Sequence, residues 1–149
     1  MAILVDTSVL GRLANRADIG HRGAVGAIAE LHRRGEMLHL TPQNLVEFRN
    51  FATRPVKVNG LGLTASTADG LAANFEAAFS LLVETPDIYP AWKTLVGTLG
   101  VVGKQVHDAR LVAVCHVYGV SHLLTFNVAH FARFAAFGPG VVVVDPASV

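Results

Sequence analysis

The chain has 149 residues, enough for one domain with a sizeable core, and a single domain over 1–149 is expected. Apolar residues make up 52% and charged residues 15%, the reverse of the balance that leaves a chain disordered. With 12 Lys plus Arg against 11 Asp plus Glu, the formal charge of +1 neither demands nor excludes a nucleic-acid partner; only local clustering of cations could mark one.

In chain order, "AILVD" is a short run of branched residues ending on an acid, the pattern of a buried parallel strand. "SVLGRLANR" spaces Val9, Leu10, Leu13 and Ala14 on one helical face, with Thr7 or Ser8 available as N-cap. "GAVGAIAELHRRG" is a second helix closed by Gly35, and "EMLHLT" a second strand. Pro42 suits the first turn of the helix "PQNLVEFRNFATR", which Pro55 ends. "VKVNGLGLT" is a glycine-containing loop. "TASTADGLAANFEAAFSLLVE" has the pattern of one long helix, with Leu71, Phe75, Ala78, Phe79 and Leu82 on a face. "DIYP" suggests a short strand before the helix "AWKTLVGTLGV". "VHDARLVAVCHVYGV" is a helix ending at Gly119, followed by a strand "SHLLTF", a short helix "NVAHFARF" and a last strand "GVVVVD". Strands alternating with helices imply an α/β fold, a mainly parallel sheet covered on both faces.

Leu111 to Ala132 holds no Asp, Glu, Lys or Arg and is long enough to span a bilayer. His116, Ser121, His122, Asn127 and His130 would be costly in lipid, and the period changes midway, so the stretch is expected as helix, turn and buried strand, with no membrane partner. The single cysteine, Cys115, lies among apolar residues and is expected as a small buried hydrophobe. No disulfide framework is available, and "MAILVDTSV" lacks the basic leader of a signal peptide, so a reducing, cytoplasmic compartment is expected.

The acids fall into two groups. Asp18, Glu30, Glu36, Asp69, Glu76 and Glu84 are expected as loop or outer-face charges. Asp6 closes the first strand, Glu47 lies in the first turns of the helix after the second strand, and Asp108 lies in the first turn of its helix. Asn127 stands beyond "SHLLTF" as Asp6 stands beyond "AILV". Each has an ordinary explanation: a turn residue or N-cap at a strand end, a solvated helix residue, a favourable charge at a helix start. All four nevertheless map to one rim of a parallel sheet, the rim where open α/β folds bind ligands. Clustered carboxylates repel unless a cation joins them. Oxygen-only ligands suit Mg²⁺ or Mn²⁺, which can activate water against a phosphodiester. The seven His show no HExxH spacing, which counts against a zinc hydrolase.

Here the sequence resembles the PIN-domain ribonucleases, specifically the VapC-type toxins of prokaryotic toxin–antitoxin pairs, over essentially its whole length. "ILVDTSVL" is similar to the opening strand with its first metal-binding acid, here Asp6. "TPQNLVEFRNFATRP" is similar to the segment carrying Glu47, "HDARLVAV" to the third motif with Asp108, and "LLTFNVAHFARF" to the fourth, a TxN/D pattern with Asn127. The resemblance implies a PIN-like fold and Mg²⁺- or Mn²⁺-dependent endonucleolytic cleavage of RNA, leaving 5′-phosphate and 3′-hydroxyl ends. It also implies a cognate antitoxin protein and a homodimer. Asp6, Glu47 and Asp108 would hold the ion directly or through water, with Asn127 as a fourth catalytic residue. Thr7, Ser8 and Asn44 are candidates to hydrogen-bond ligand or water, and Arg12, Arg49, Lys104 and Arg110 to contact RNA phosphates. Many relatives have an acid where this chain has Asn127 or His130, which counts against a second metal; His130 is expected at the surface or on a phosphate.

Three other readings are weaker. A haloacid-dehalogenase-type phosphatase would want an acid two residues after Asp6, where Ser8 stands. A receiver domain would want adjacent acids near the first strand. The non-catalytic alternative is a PIN-like domain that only binds RNA or protein, against which stand Asp6, Glu47 and Asp108.

Overall fold

A computed structural model describes residues 1–149. Five strands form one sheet: β1 (Ala2–Val5), β2 (Met37–Leu40), β3 (Ser80–Leu81), β4 (His122–Leu124) and β5 (Val142–Val144), in the order β3-β2-β1-β4-β5. Every pairing is parallel, with Ile3 opposite both Leu38 and His122. The helices are α1 (Thr7–Ala14), α2 (His21–Arg33), α3 (Pro42–Thr53), α4 (Ala65–Ala78), α5 (Ile88–Leu99), α6 (Gln105–Tyr118) and α7 (Val128–Phe131). Short 3₁₀ turns follow at Val56–Val58 and Pro146–Ser148.

Parallel strands need crossovers, and the crossovers place helices on both faces, which is why β1 is apolar at every position. Ile3 and Val5 enter a core with Val9, Leu10, Phe48, Phe75 and Phe79, whereas Leu4 enters the opposite one with Leu95, Leu111, Val112, Phe131 and Phe134. Each fully buried Leu or Phe in these cores contributes roughly 1.5–3 kcal/mol by leaving water. Cys115 is buried as expected, and burial pushes its thiol up to about 12, so it is no nucleophile at neutral pH. No helix is long and apolar enough to cross a membrane; the charge-free stretch divides into α6, a turn at Gly119, β4 and α7.

Helix ends follow local chemistry. Thr41 caps α3 reciprocally with Asn44, Pro42 takes its first turn, and Gly119 closes α6 at a φ of +66°. Three expectations need correction. The N-cap of α1 is Asp6, not Thr7 or Ser8: its side chain accepts from the Ser8 amide. The long helix after Thr64 ends at Ala78; Phe79 turns extended, Ser80–Leu81 pairs with His39–Leu40 as an edge strand, and Ala78 is exposed. "DIYP" is not a strand but the first turn of α5: Ile88 is buried, and Pro90 sits where the helix asks no donor of the backbone.

Candidate active site

The parallel order leaves a crevice beyond the carboxyl ends of β1 and β4, where chain connections leave in opposite directions. A cavity of about 380 Å³ opens there. Asp6, Glu47, Asp108 and Asn127 all line it, together with Thr7, Ser8 and Arg12. Three elements deliver the acids: the β1–α1 junction, the second turn of α3 and the first turn of α6.

Asp6 is 5% exposed, and a buried carboxylate needs partners to stay charged. Its Oδ2 accepts from the Ser8 hydroxyl at 2.6 Å, the Thr125 hydroxyl at 2.7 Å and the Ser8 amide at 3.3 Å. Thr125 Oγ1 in turn accepts from the backbone N–H of Asn127, and Ser8 Oγ from the backbone N–H of Phe126. The β4–α7 turn is thereby fixed to the β1–α1 turn through this one carboxylate oxygen, while Oδ1 makes no hydrogen bond.

Glu47 is held from two sides. The Thr7 hydroxyl donates to Oε2 at 2.7 Å, and the Gln43 amide donates to Oε1 at 2.8 Å. Asn44 donates to Thr7 Oγ1 from a fully buried position. Thr7, Ser8 and Asn44 thus hold the acids in place. The Gln43 amide also donates to the His107 carbonyl at 2.9 Å, tying α3 to the start of α6.

Asp108 is perturbed by both its burial and its acid neighbours. Burial first, then the negative charges of Asp6 and Glu47, push its carboxyl up to about 6, against a smaller opposing pull from His130 and His107. His130 Nδ1 lies 3.8 Å from Asp108 Oδ2 and is half exposed, a surface placement in keeping with expectation but beside an acid.

Of the arginines and lysine singled out, only Arg12 lines the cavity. Its guanidinium lies 4.3 Å over the Phe126 ring and 3.5 Å from Asp18 Oδ1. Arg49 pairs with Asp69, Arg110 pairs with Glu84 and donates to Gln43, and Lys104 is exposed at the start of α6. Asp18, read from sequence as an outer charge, instead lines the cavity with Gly11 and Phe51. Thr125 also escaped the sequence reading, although the threonine of the TxN pattern marks it.

The oxygen-only donor set and its mutual repulsion fit a hard divalent cation that keeps part of its water shell. No three carboxylate, imidazole or thiol groups stand close enough to form a ligand set by themselves, so water or substrate oxygen would complete the coordination.

The PIN domain family model matches residues 3–136. The chain is a member of the PIN domain family. No match is found among curated proteins. Among solved structures, the PIN fold of this chain resembles VapBC2 from Rickettsia felis bound to a DNA fragment from its promoter, with a TM-score of 0.72, 12% identity, and 97% of this chain and 98% of that one covered. VapBC-1 from nontypeable Haemophilus influenzae gives a TM-score of 0.71 at 16% identity, covering 98% of each chain. Mycobacterium tuberculosis VapC20, described as a Sarcin-Ricin loop cleaving toxin, gives 0.62 at 23% identity over 88% of this chain and 94% of that one.

Proposed function

We propose that this PIN domain is a Mg²⁺- or Mn²⁺-dependent endoribonuclease acting as the toxin of a toxin–antitoxin pair. The observation that carries the reading is the meeting of Asp6, Glu47 and Asp108, from three elements, on one cavity at the crevice of the sheet. The likeness to VapBC assemblies and to a toxin that cleaves the Sarcin-Ricin loop supports it.

Asp6 through its free oxygen and Asp108 would hold the ion, with Glu47 bonding it or one of its waters. When bound, the ion supplies a polarised water for in-line attack and charge stabilisation at the phosphodiester. The residues of the chain do the rest. Ser8 and Thr125 hold Asp6 in place by hydrogen bonds, and Thr7 and Gln43 do the same for Glu47. Asn127 offers an amide oxygen to a water at the cavity wall. Arg12, rigid on Phe126, meets the phosphate; Asp18 holds it there until RNA arrives. The products carry 5′-phosphate and 3′-hydroxyl ends. A cognate antitoxin covers the cavity in the resting complex, the toxin acts as a homodimer, and an RNA substrate places it in the cytoplasm.

The test is cleavage of a mixed RNA pool by purified, partner-free protein in Mg²⁺ or Mn²⁺. Cutting that disappears in EDTA and in Asp6→Asn is the expected result. Absence of cutting by folded protein over a wide range of RNAs would leave the domain as a binding module.

A further inference from the structure

A second cavity, of about 400 Å³, lies between the first turns of α5 and α6, lined by Tyr89, Trp92, Val106, His107 and Arg110. Its aromatic pair is unusual for a surface. Tyr89 is 63% exposed, yet its ring stands 5.8 Å from that of Trp92 at an interplanar angle of 32°. Trp92 is fixed in plane, because its Nε1 donates to the Val106 carbonyl at 2.8 Å. Arg110 is fixed as well, donating to Glu84 and, at 3.1 Å, to the side-chain Oε1 of Gln43.

This cavity is tied to the acid cavity through the start of α6 and through Gln43. His107 precedes Asp108 in the chain, and the Gln43 amide bridges the His107 carbonyl to Glu47. The Gln43 side chain thus links a residue lining one cavity, Glu47, to two lining the other, His107 and Arg110. The size falls within the roughly 300–1,000 Å³ of clefts that enclose small ring systems. The composition, two aromatic rings with an imidazole and a guanidinium at the edge, is how proteins take up unpaired bases: rings stack on the base, and cations meet the adjoining phosphate or base edge.

We propose that the Tyr89–Trp92 cavity is a base-binding subsite, taking an unpaired RNA base next to the cleaved phosphate. The proposal rests on the ribonuclease reading above. The base stacks on the exposed Tyr89 ring beside Trp92, while His107 and Arg110 face its phosphate or its polar edge. The subsite selects single-stranded or looped RNA, since a base held in a duplex cannot leave its stack without loss of pairing.

Trp92 is the only tryptophan in the chain, so its fluorescence reports on this cavity alone. The full chain in the non-cleaving Asp6→Asn background is titrated with a short fluorescein-labelled single-stranded RNA. Polarisation of the label reads binding anywhere on the protein, and Trp92 emission reads the subsite. The expected result is quenching of Trp92 on binding. Tyr89→Ala should bind roughly five- to a hundredfold more weakly, the range for loss of one base–aromatic stack, while Tyr89→Phe binds as its parent does. In cleavage assays with Asp6 intact, Tyr89→Ala should raise KM and leave kcat unchanged. Tyr89 is mostly in water, so the substitution removes no core contact. RNA that binds without quenching Trp92, and equally well to Tyr89→Ala, would overturn the subsite and leave the nuclease standing. RNA that neither binds nor is cut would overturn both. A Tyr89→Ala chain that sediments as a smaller species, with RNA binding unaltered, would assign the aromatic face to a second copy of the protein and also overturn the proposal.

Discussion

Asp108 is buried beside Asp6 and Glu47 but, unlike those two acids, has no hydroxyl or amide holding it. Its side chain is 26% exposed, so the interaction is only partly screened. The folded carboxyl is raised from 3.8 to about 6, so the folded protein binds this proton more tightly than the unfolded chain does. The contribution to stability is therefore fully present below about pH 4 and is lost as pH rises through about 6. Asp108→Asn removes that loss, at the expense of roughly 0.3–1 kcal/mol of favourable charge at the start of α6. In EDTA at pH 7.5 it should be more stable than wild type by about 1–2 kcal/mol, and the advantage should vanish near pH 4. Thermal melts across that range decide it; a variant melting below wild type at pH 7.5 would show that neither burial nor the neighbouring acids disfavour the Asp108 charge. Asp6, Glu47 and Asp108 were legible in the sequence because their positions depend only on where a strand ends or a helix begins. Asp18 was not: what brings it to the cavity is the turn after α1 and its approach to Arg12, which no local pattern encodes.

At the scale of elements, the site depends on the relation of α3 to α6, which Gln43 sets by donating to Glu47 and to the His107 carbonyl while accepting from Arg110. Groups that orient a metal ligand typically alter affinity 10- to 100-fold when removed. Gln43→Leu keeps the volume and loses all three bonds. It should weaken Mn²⁺ binding by roughly tenfold or more, at a stability cost of about 1–2 kcal/mol. Calorimetric titration with Mn²⁺ measures the first quantity and urea unfolding the second; unchanged Mn²⁺ affinity would show that Glu47 needs no such support. The bond pattern was invisible beforehand, because a glutamine on a helix says nothing of the helix it will face. Element type was legible where patterns were long, as in α2, α3 and α6. It failed in two short apolar runs. "SLLV" continues the helical spacing of α4, and what makes it β3 is pairing with β2, a contact over forty residues away in the chain. "DIYP" resembles a strand ended by proline, and only the burial of Ile88 against the core shows that the proline lies inside a first turn.

For the whole molecule, the sheet order decides what a bound ion does to stability. β1 is central and β4 is its neighbour, and the Asp6 carboxylate is hydrogen-bonded across the two turns that follow them. An ion held by Asp6, Glu47 and Asp108 therefore joins α1, α3 and α6, helices that contribute to both cores. Unfolding must release it, so binding stabilises the entire chain rather than one loop. At an ion concentration a hundred times Kd the gain is about 2.7 kcal/mol, which for a chain of this length raises Tm by about 5–10 °C. Screening alone would also relieve repulsion among the acids, so the comparison is made at matched ionic strength, Mg²⁺ or Mn²⁺ against Na⁺. Asp6→Asn should lose most of the divalent-specific rise. The same rise should shrink as pH falls below about 6, because the proton on Asp108 then competes with the ion. A Tm that responds equally to Na⁺ and Mn²⁺, or a Mn²⁺ effect indifferent to pH between 5 and 8, would mean that the acids meet at this cavity without binding a cation there.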